Sequence, residues 1–215
     1  MPRRTSKGVC HLCGAVVGKG GMTRHLKLCR PAPQAPSPTR LFHLIVEGSY
    51  QPEYWLHLDA RADATLEDLD EFLREIWLEC CGHLSAFTIA GESYYIEGAE
   101  ELGGKGMDVP LFRVLRPELE FEHEYDFGTT TELKLRVVAE HEGDQQEPIR
   151  LLARNEPPEV PCESCGELAT DVCSICIYEG EGWLCQGCAP AHECGEEMLL
   201  PVVNSPRVGM CGYTG

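Results

Sequence analysis

Between residues 162 and 194 the chain reads Cys162-x-x-Cys165, Cys173-x-x-Cys176 and Cys185-x-x-Cys188, then adds His192 and Cys194. A CxxC turn lets two thiolates reach one metal from a single tight loop, so each pair supplies half of a tetrahedral shell. Eight such donors within 33 residues are the number that two zinc ions require. Paired cysteines also build disulfide frameworks and redox dithiols, but this spacing points to metal.

The N-terminus repeats the theme once, with Cys10-x-x-Cys13 followed by His25 and Cys29. Residues 22–29 suit a helix that sets His25 and Cys29 at i and i+4 on one face. Val9, Met22 and Leu26 are its expected apolar core. The pattern resembles the two-Cys, two-His zinc finger with the last histidine replaced by cysteine, which implies one zinc on Cys10, Cys13, His25 and Cys29. A disordered leader with incidental cysteines is the alternative.

With 215 residues and 43% apolar content, the chain has room for one medium domain and small satellites. No apolar run approaches the ~18 residues of a membrane span, and the basic start at residues 1–7 is not followed by a signal-like apolar stretch. Thirteen cysteines, an odd number in CxxC spacing, fit metal-held thiolates in a reducing cytosol. The expectation is a soluble cytoplasmic protein with no membrane partner.

Charge is segregated. Residues 1–40 hold Arg3, Arg4, Lys7, Lys19, Arg24, Lys27, Arg30 and Arg40 and no acid, for +8; residues 41–155 sum to −16 and residues 156–215 to −9. Only the N-terminal segment can attract phosphate, so DNA or RNA is its expected partner. A charge imbalance that serves solubility is the alternative.

Composition breaks divide the chain. Residues 1–30 are the basic finger, residues 31–40 a proline-rich linker, residues 41–154 a central body, and residues 155–215 a two-zinc cysteine-rich module. The expected class is α+β, a mixed strand and helix domain flanked by two small zinc modules. Within the body, residues 41–46, 54–58, 87–89 and 94–96 suit strands. Thr65-Leu66-Glu67-Asp68 opens a helix with a capping box; Leu66, Leu69, Leu73, Ile76, Trp77 and Cys80 recur along it, and Gly82 stops it. Phe121, His123 and Tyr125 alternate with Glu120, Glu122, Glu124 and Asp126, and a hairpin through Gly128-Thr129-Thr130 returns through Leu133, Leu135 and Val137. A three-residue loop pairs Glu124 with Lys134 and Glu122 with Arg136.

Several of these pieces together resemble the plasmid pRiA4b ORF-3-like family over about residues 41–150. They are Phe42-His43-Leu44-Ile45-Val46 with Pro52-Glu53-Tyr54-Trp55, Thr65-Leu66-Glu67-Asp68-Leu69, His83-Leu84 with Phe87, and Tyr125-Asp126-Phe127-Gly128. The resemblance implies an α+β domain of unknown biochemical role. Thr129, Thr131 and Leu133 stand where the family usually has an acid, a tryptophan and often a histidine. Leu56 replaces an arginine, and Ser85 and Ala86 replace a histidine and a glutamate. Several polar groups of a family pocket are therefore missing.

Other constellations have simpler readings. Asp126-Phe127-Gly128 resembles the kinase magnesium motif, but the glycine-rich loop, strand lysine and catalytic loop are absent. The acids from Glu120 to Asp126 lie opposite His123 on a strand, which suits a solvated face better than a nuclease site. Cys80-Cys81 beside His83 suggests a nucleophile, yet adjacent helical cysteines diverge, so a buried Cys80 and an incidental Cys81 are expected. Gly103-Gly104-Lys105-Gly106 is too short for a phosphate loop. The C-terminal ligand order resembles the cross-brace of B-box and MYND-type modules, with Cys162, Cys165, Cys185 and Cys188 on one zinc and Cys173, Cys176, His192 and Cys194 on the other. Sequential filling, starting with Cys162, Cys165, Cys173 and Cys176, is the rival, with Cys211 in reserve. The sum is a three-zinc, non-catalytic protein with Cys80, Cys81 and Cys211 unligated. Its finger takes nucleic acid and residues 155–215 take a protein partner. The alternative is an enzyme, possible nucleic-acid processing included, with its site in the central body.

Overall fold

The computed structural model describes residues 6–215. The finger supplies β1 (Lys7–Cys10), β2 (Val16–Gly18) and helix α1 (Lys19–Cys29). The body adds β3 (Thr39–Gly48), β4 (Trp55–Arg61), α2 (Leu66–Leu73), β5 (Ser85–Ile89), β6 (Glu92–Tyr95), β7 (Lys105–Gly106), the single turn α3 (Leu111–Val114), β8 (Glu120–Tyr125), β9 (Thr131–Gly143) and β10 (Ile149–Asn155). These ten strands form one sheet in the order β2-β1-β10-β4-β3-β9-β8-β5-β6-β7, antiparallel except between β6 and β7. A second sheet, β12-β11-β13, is made from β11 (Asp171–Cys173), β12 (Trp183–Leu184) and β13 (Leu199–Pro201). The fold is α+β but mostly β.

Strand parity decides which layer each residue joins. On β4, Leu56, Leu58 and Ala60 face α2 and share a core with Phe42, Leu44 and Val46 of β3 and Leu66, Leu69, Leu73 and Trp77. The alternate residue Trp55 packs with Cys10, Met22 and Leu26 of the finger and with Leu152 and Ala153 of β10. The central strands are thus covered on both faces, which explains why β3 and β4 are buried almost throughout, His43, His57 and Asp59 included. Val9, expected in the finger core, is only half-buried. Trp55 takes that place, because β1 adds to the edge of β10 and lays the finger over the indole. The approach is close enough that a Cβ at Gly8 would collide with the Trp55 ring.

The capping box at Thr65 forms as expected: its hydroxyl accepts from the Asp68 N–H at 3.1 Å, and its own N–H donates to Asp68 Oδ2 at 2.7 Å. The helix ends earlier than Gly82. A π-helical turn at Arg74–Leu78 closes with Glu79 N–H donating to the Arg74 carbonyl at 2.8 Å, and Glu79 itself is extended. Cys80 therefore lies beyond the helix, in a loop.

The β8–β9 hairpin is shifted by two residues from the expected register. Glu122 faces Lys134, Glu120 faces Arg136, and Glu124 faces Glu132. The cause is Asp126, which leaves the strand with φ 64° and turns its carboxylate Oδ1 onto the N–H groups of Gly128 and Thr129 at 3.0 and 3.2 Å. Residues 126–130 form the loop. A shift of two leaves the faces unchanged, so Phe121, His123 and Tyr125 are buried and Glu120 and Glu122 are exposed. Asp126 departs from the expected solvated row: it is buried and pairs with Arg207 at 2.7 Å.

The C-terminal module is joined to the body by its own tail. Residues 205–209 are buried, Ser205 Oγ donates to the Trp77 carbonyl at 2.6 Å, and Val208 enters the main core.

Candidate metal centres

In the finger, Gly14 (φ 75°) closes the knuckle after Cys10, with Gly14 N–H on the Cys10 carbonyl at 2.7 Å. Helix α1 brings His25 and Cys29 over that knuckle. Cys10 Sγ lies 4.0 Å from Cys29 Sγ, and Cys13 Sγ lies 3.4 Å from His25 Nε2. Zinc bonds of about 2.3 Å to sulfur and 2.0 Å to nitrogen place tetrahedral neighbours about 3.5–3.8 Å apart, so the spacing fits an ion at the centre. The Ala15 N–H, foremost, holds the Cys13 thiol down at about 7, and the contact with Cys13 pushes Cys29 up to about 11. Thiols this close oppose one another's ionisation; a bound divalent cation deprotonates them together.

The C-terminal cysteines fall into two groups in alternating order. Cys162, Cys165, Cys185 and Cys188 form one, and Cys173, Cys176, His192 and Cys194 the other. This is the cross-brace arrangement and not the sequential one. It follows from β11 pairing with β12, which sets Cys185 beside the first knuckle: Cys165 and Cys185 sulfurs are 3.5 Å apart. Cys176 Sγ is 3.6 Å from both His192 Nε2 and Cys194 Sγ. Gly182 (φ 93°) passes so near that a Cβ would sit 2.8 Å from the Cys176 Cβ. The same opposed ionisation recurs. The Cys185 N–H chiefly holds Cys162 at about 6, while its Cys165 neighbour drives Cys188 to about 12. Cys173 is held at about 6, against burial, by the Cys176 and Ile175 N–H groups; the Cys194 sulfur drives Cys176 to about 12.

Cys80, Cys81 and Cys211, expected to be separate unligated thiols, converge in the structure. Together with His83 they form a fourth group, so the described residues hold four sets that can take a metal ion, not three. In each set the four ligand atoms lie within 4.8 Å of one another. No cysteine is in a disulfide. Burial opposes ionisation of Cys80, but the Arg207 guanidinium beside it wins and holds its thiol below the usual range. Cys81 is pushed up to about 11 by the Cys80 sulfur. Sequence reasoning does not reach this group, because helical spacing puts Cys80 in a helix and Cys211 is 130 residues from Cys81. The available signal was the odd cysteine count.

Among the described residues, none of the other candidate sets forms a group that could hold a metal ion. Glu120 and Glu122 face outward opposite Arg136 and Lys134. His123, on the buried face, bonds Asp70 of α2 at 2.6 Å. Gly103 and Gly104 turn into β7, where Lys105 pairs with Glu92 at 2.7 Å.

Neither a protein-family profile nor a curated protein sequence matches the chain. Among solved structures it is similar to the crystal structure of a protein of unknown function from Methanosarcina mazei Go1. The two are 20% identical, with a TM-score of 0.48, over 61% of this chain and 77% of that one. The class defined by fold and site is a mostly β, α+β chain with four Cys/His groups fit for metal. Among the described residues no helix is long and apolar enough to cross a membrane.

Proposed function

We propose that this chain is a zinc protein of the reducing cytosol that works by binding and not by catalysis. Its basic finger engages DNA or RNA and its C-terminal module engages a protein. Cys10, Cys13, His25 and Cys29 hold one zinc; Cys162, Cys165, Cys185 and Cys188 a second; Cys173, Cys176, His192 and Cys194 a third. The body between them is a plasmid pRiA4b ORF-3-like domain. The observation that carries the reading is that donors picked out by spacing alone meet in sets of four. Four protein donors close a tetrahedral shell and leave no water for the metal to activate.

On the finger, Lys7, Arg24 and Lys27 are exposed, whereas Lys19 is held by Glu47 at 3.1 Å and Arg30 by Asp59 at 2.8 Å. Arg3 and Arg4 lie outside the described residues. Nucleic-acid binding therefore rests on few charges and is weak, with a non-specific Kd of roughly 10⁻⁴ to 10⁻⁶ M at physiological salt. On the C-terminal module, exposed Leu168, Ile175 and Tyr178 supply apolar anchors for a protein partner.

The test is fluorescence anisotropy with duplex DNA and single-stranded RNA across a salt series. Replacing Lys7, Arg24 and Lys27 together by Ala should abolish binding, and the wild-type salt slope should be about −3 on duplex DNA, near −0.9 per phosphate contact. Unchanged affinity in the triple variant would remove the nucleic-acid reading.

A further inference from the structure

We propose that Cys80, Cys81, His83 and Cys211 form a fourth zinc site, and that its metal clasps the returning C-terminal tail to the central sheet domain. The donor inventory is the first support. Thirteen cysteines with His25, His83 and His192 divide into four sets of four, and no cysteine stands outside them. An odd number of cysteines cannot all pair as disulfides, but it completes four shells when three histidines join.

Geometry is the second. Cys80 and Cys81 sulfurs are 3.7 Å apart, and Cys81 and Cys211 sulfurs 3.8 Å apart, close to the tetrahedral edge of about 3.8 Å. His83 Nε2 stands 3.0 Å from Cys81 Sγ and 3.3 Å from Cys211 Sγ.

Both halves of the site are held in place by groups other than the donors. The hydroxyl of the fully buried Tyr125 accepts the N–H groups of Cys80 and His83 at 3.4 and 3.3 Å. Between them Gly82, at φ 78°, reverses the chain so that Cys81 and His83 face one point. From the other side Arg207, fully buried, bonds Asp126 at 2.7 Å and Thr131 Oγ1 at 3.0 Å, which fixes the tail four residues before Cys211.

Charge balance agrees. A zinc ion with three thiolates and one imidazole carries −1, and Arg207 Nη2 lies 3.4 Å from Cys80 Sγ to offset it. Asp126 Oδ2 is 3.4 Å from His83 Nε2, yet that carboxylate already accepts from Gly128, Thr129 and Arg207. The carboxylate therefore has its partners without His83, whose Nε2 also faces the sulfurs of Cys81 and Cys211. Binding takes Zn²⁺ from solution and releases the thiol protons of three cysteines to solvent, with no change of oxidation state.

The other sets join residues close in sequence; this one joins the loop after α2 to the end of the chain. It is also the one set with no buried donor, so its ion is the first that a chelator removes.

Native mass spectrometry of the full chain, purified reduced and without chelator, should show one zinc fewer in the Cys81→Ser/Cys211→Ser variant than in the wild type. Equal counts in the two would overturn the clasp whatever the total. The number left in the variant tests the three sites of the proposed function separately: three leaves that reading standing, and none removes it. A second measurement needs no variant. In the zinc-loaded wild type, Cys81 and Cys211 should be alkylated by iodoacetamide at least tenfold more slowly than after chelation. Fast labelling of both before chelation would also overturn the site.

Discussion

His43 and His57 are buried against each other, with His43 Nε2 and His57 Nδ1 2.9 Å apart. Burial first, and the nearby Arg30 charge second, keep both rings neutral, lowering His43 to about 2 and His57 to about 3. In the unfolded chain each would titrate near 6.5. The folded values lie below the unfolded one, so the unfolded chain takes up protons first. Stability from this pair is present above about pH 6.5 and is lost as pH falls below it, by about 1.4 kcal/mol per pH unit for each histidine. Urea titrations of the wild type and of a His43→Phe/His57→Leu variant between pH 7 and pH 5 should show the shallower pH dependence in the variant. Acid loss of metal is common to both proteins and cancels in the comparison. Equal slopes would mean that the pair does not stay neutral in the fold.

At the level of the hairpin, one face is structural and the other is solvated. Phe121 is buried against Phe87, and Phe121→Ala should cost ~3–5 kcal/mol in chemical denaturation. On the outer face, removing the charges of Glu120 and Glu122 with Gln should change stability by less than ~1 kcal/mol each. The observed register adds a test that the expected one would not. Glu124 stands opposite Glu132, so Glu124→Lys should stabilise by roughly 0.2–1 kcal/mol. In the expected register Glu124 would face Lys134, and the same change would destabilise. Alternation along residues 120–137 made the faces legible, because a strand repeats every two residues. The register was not legible, because it turns on the Asp126 carboxylate, whose bonds to Gly128, Thr129 and Arg207 reach across the loop and the tail.

For the whole molecule, the finger and the body share one sheet and one apolar cluster around Trp55. Removing a finger residue should therefore weaken the body. Met22→Ala should cost about 2–5 kcal/mol and should lower hydrogen-exchange protection of β4 and β10 amides along with those of α1. Independent loss of α1 protection, with β4 and β10 unchanged, would show a finger that folds alone. A proline-rich stretch at residues 31–38 reads as a spacer between independent units, and its composition does not reveal that β1 pairs with β10.

The sequence by itself picked out twelve donor positions, since a CxxC turn, an i, i+4 helical pair or the close His192-x-Cys194 pair brings two ligands together through local geometry alone. It also set the two faces of β8 and the start of α2, which depend on contacts within a few residues. Which knuckle pairs share a centre was decided only by the tertiary structure, through the β11–β12 pairing. So was the meeting of Cys80, Cys81 and His83 with Cys211. No local rule spans about 130 residues; that set exists because the buried Arg207 and Val208 carry the tail back across the body.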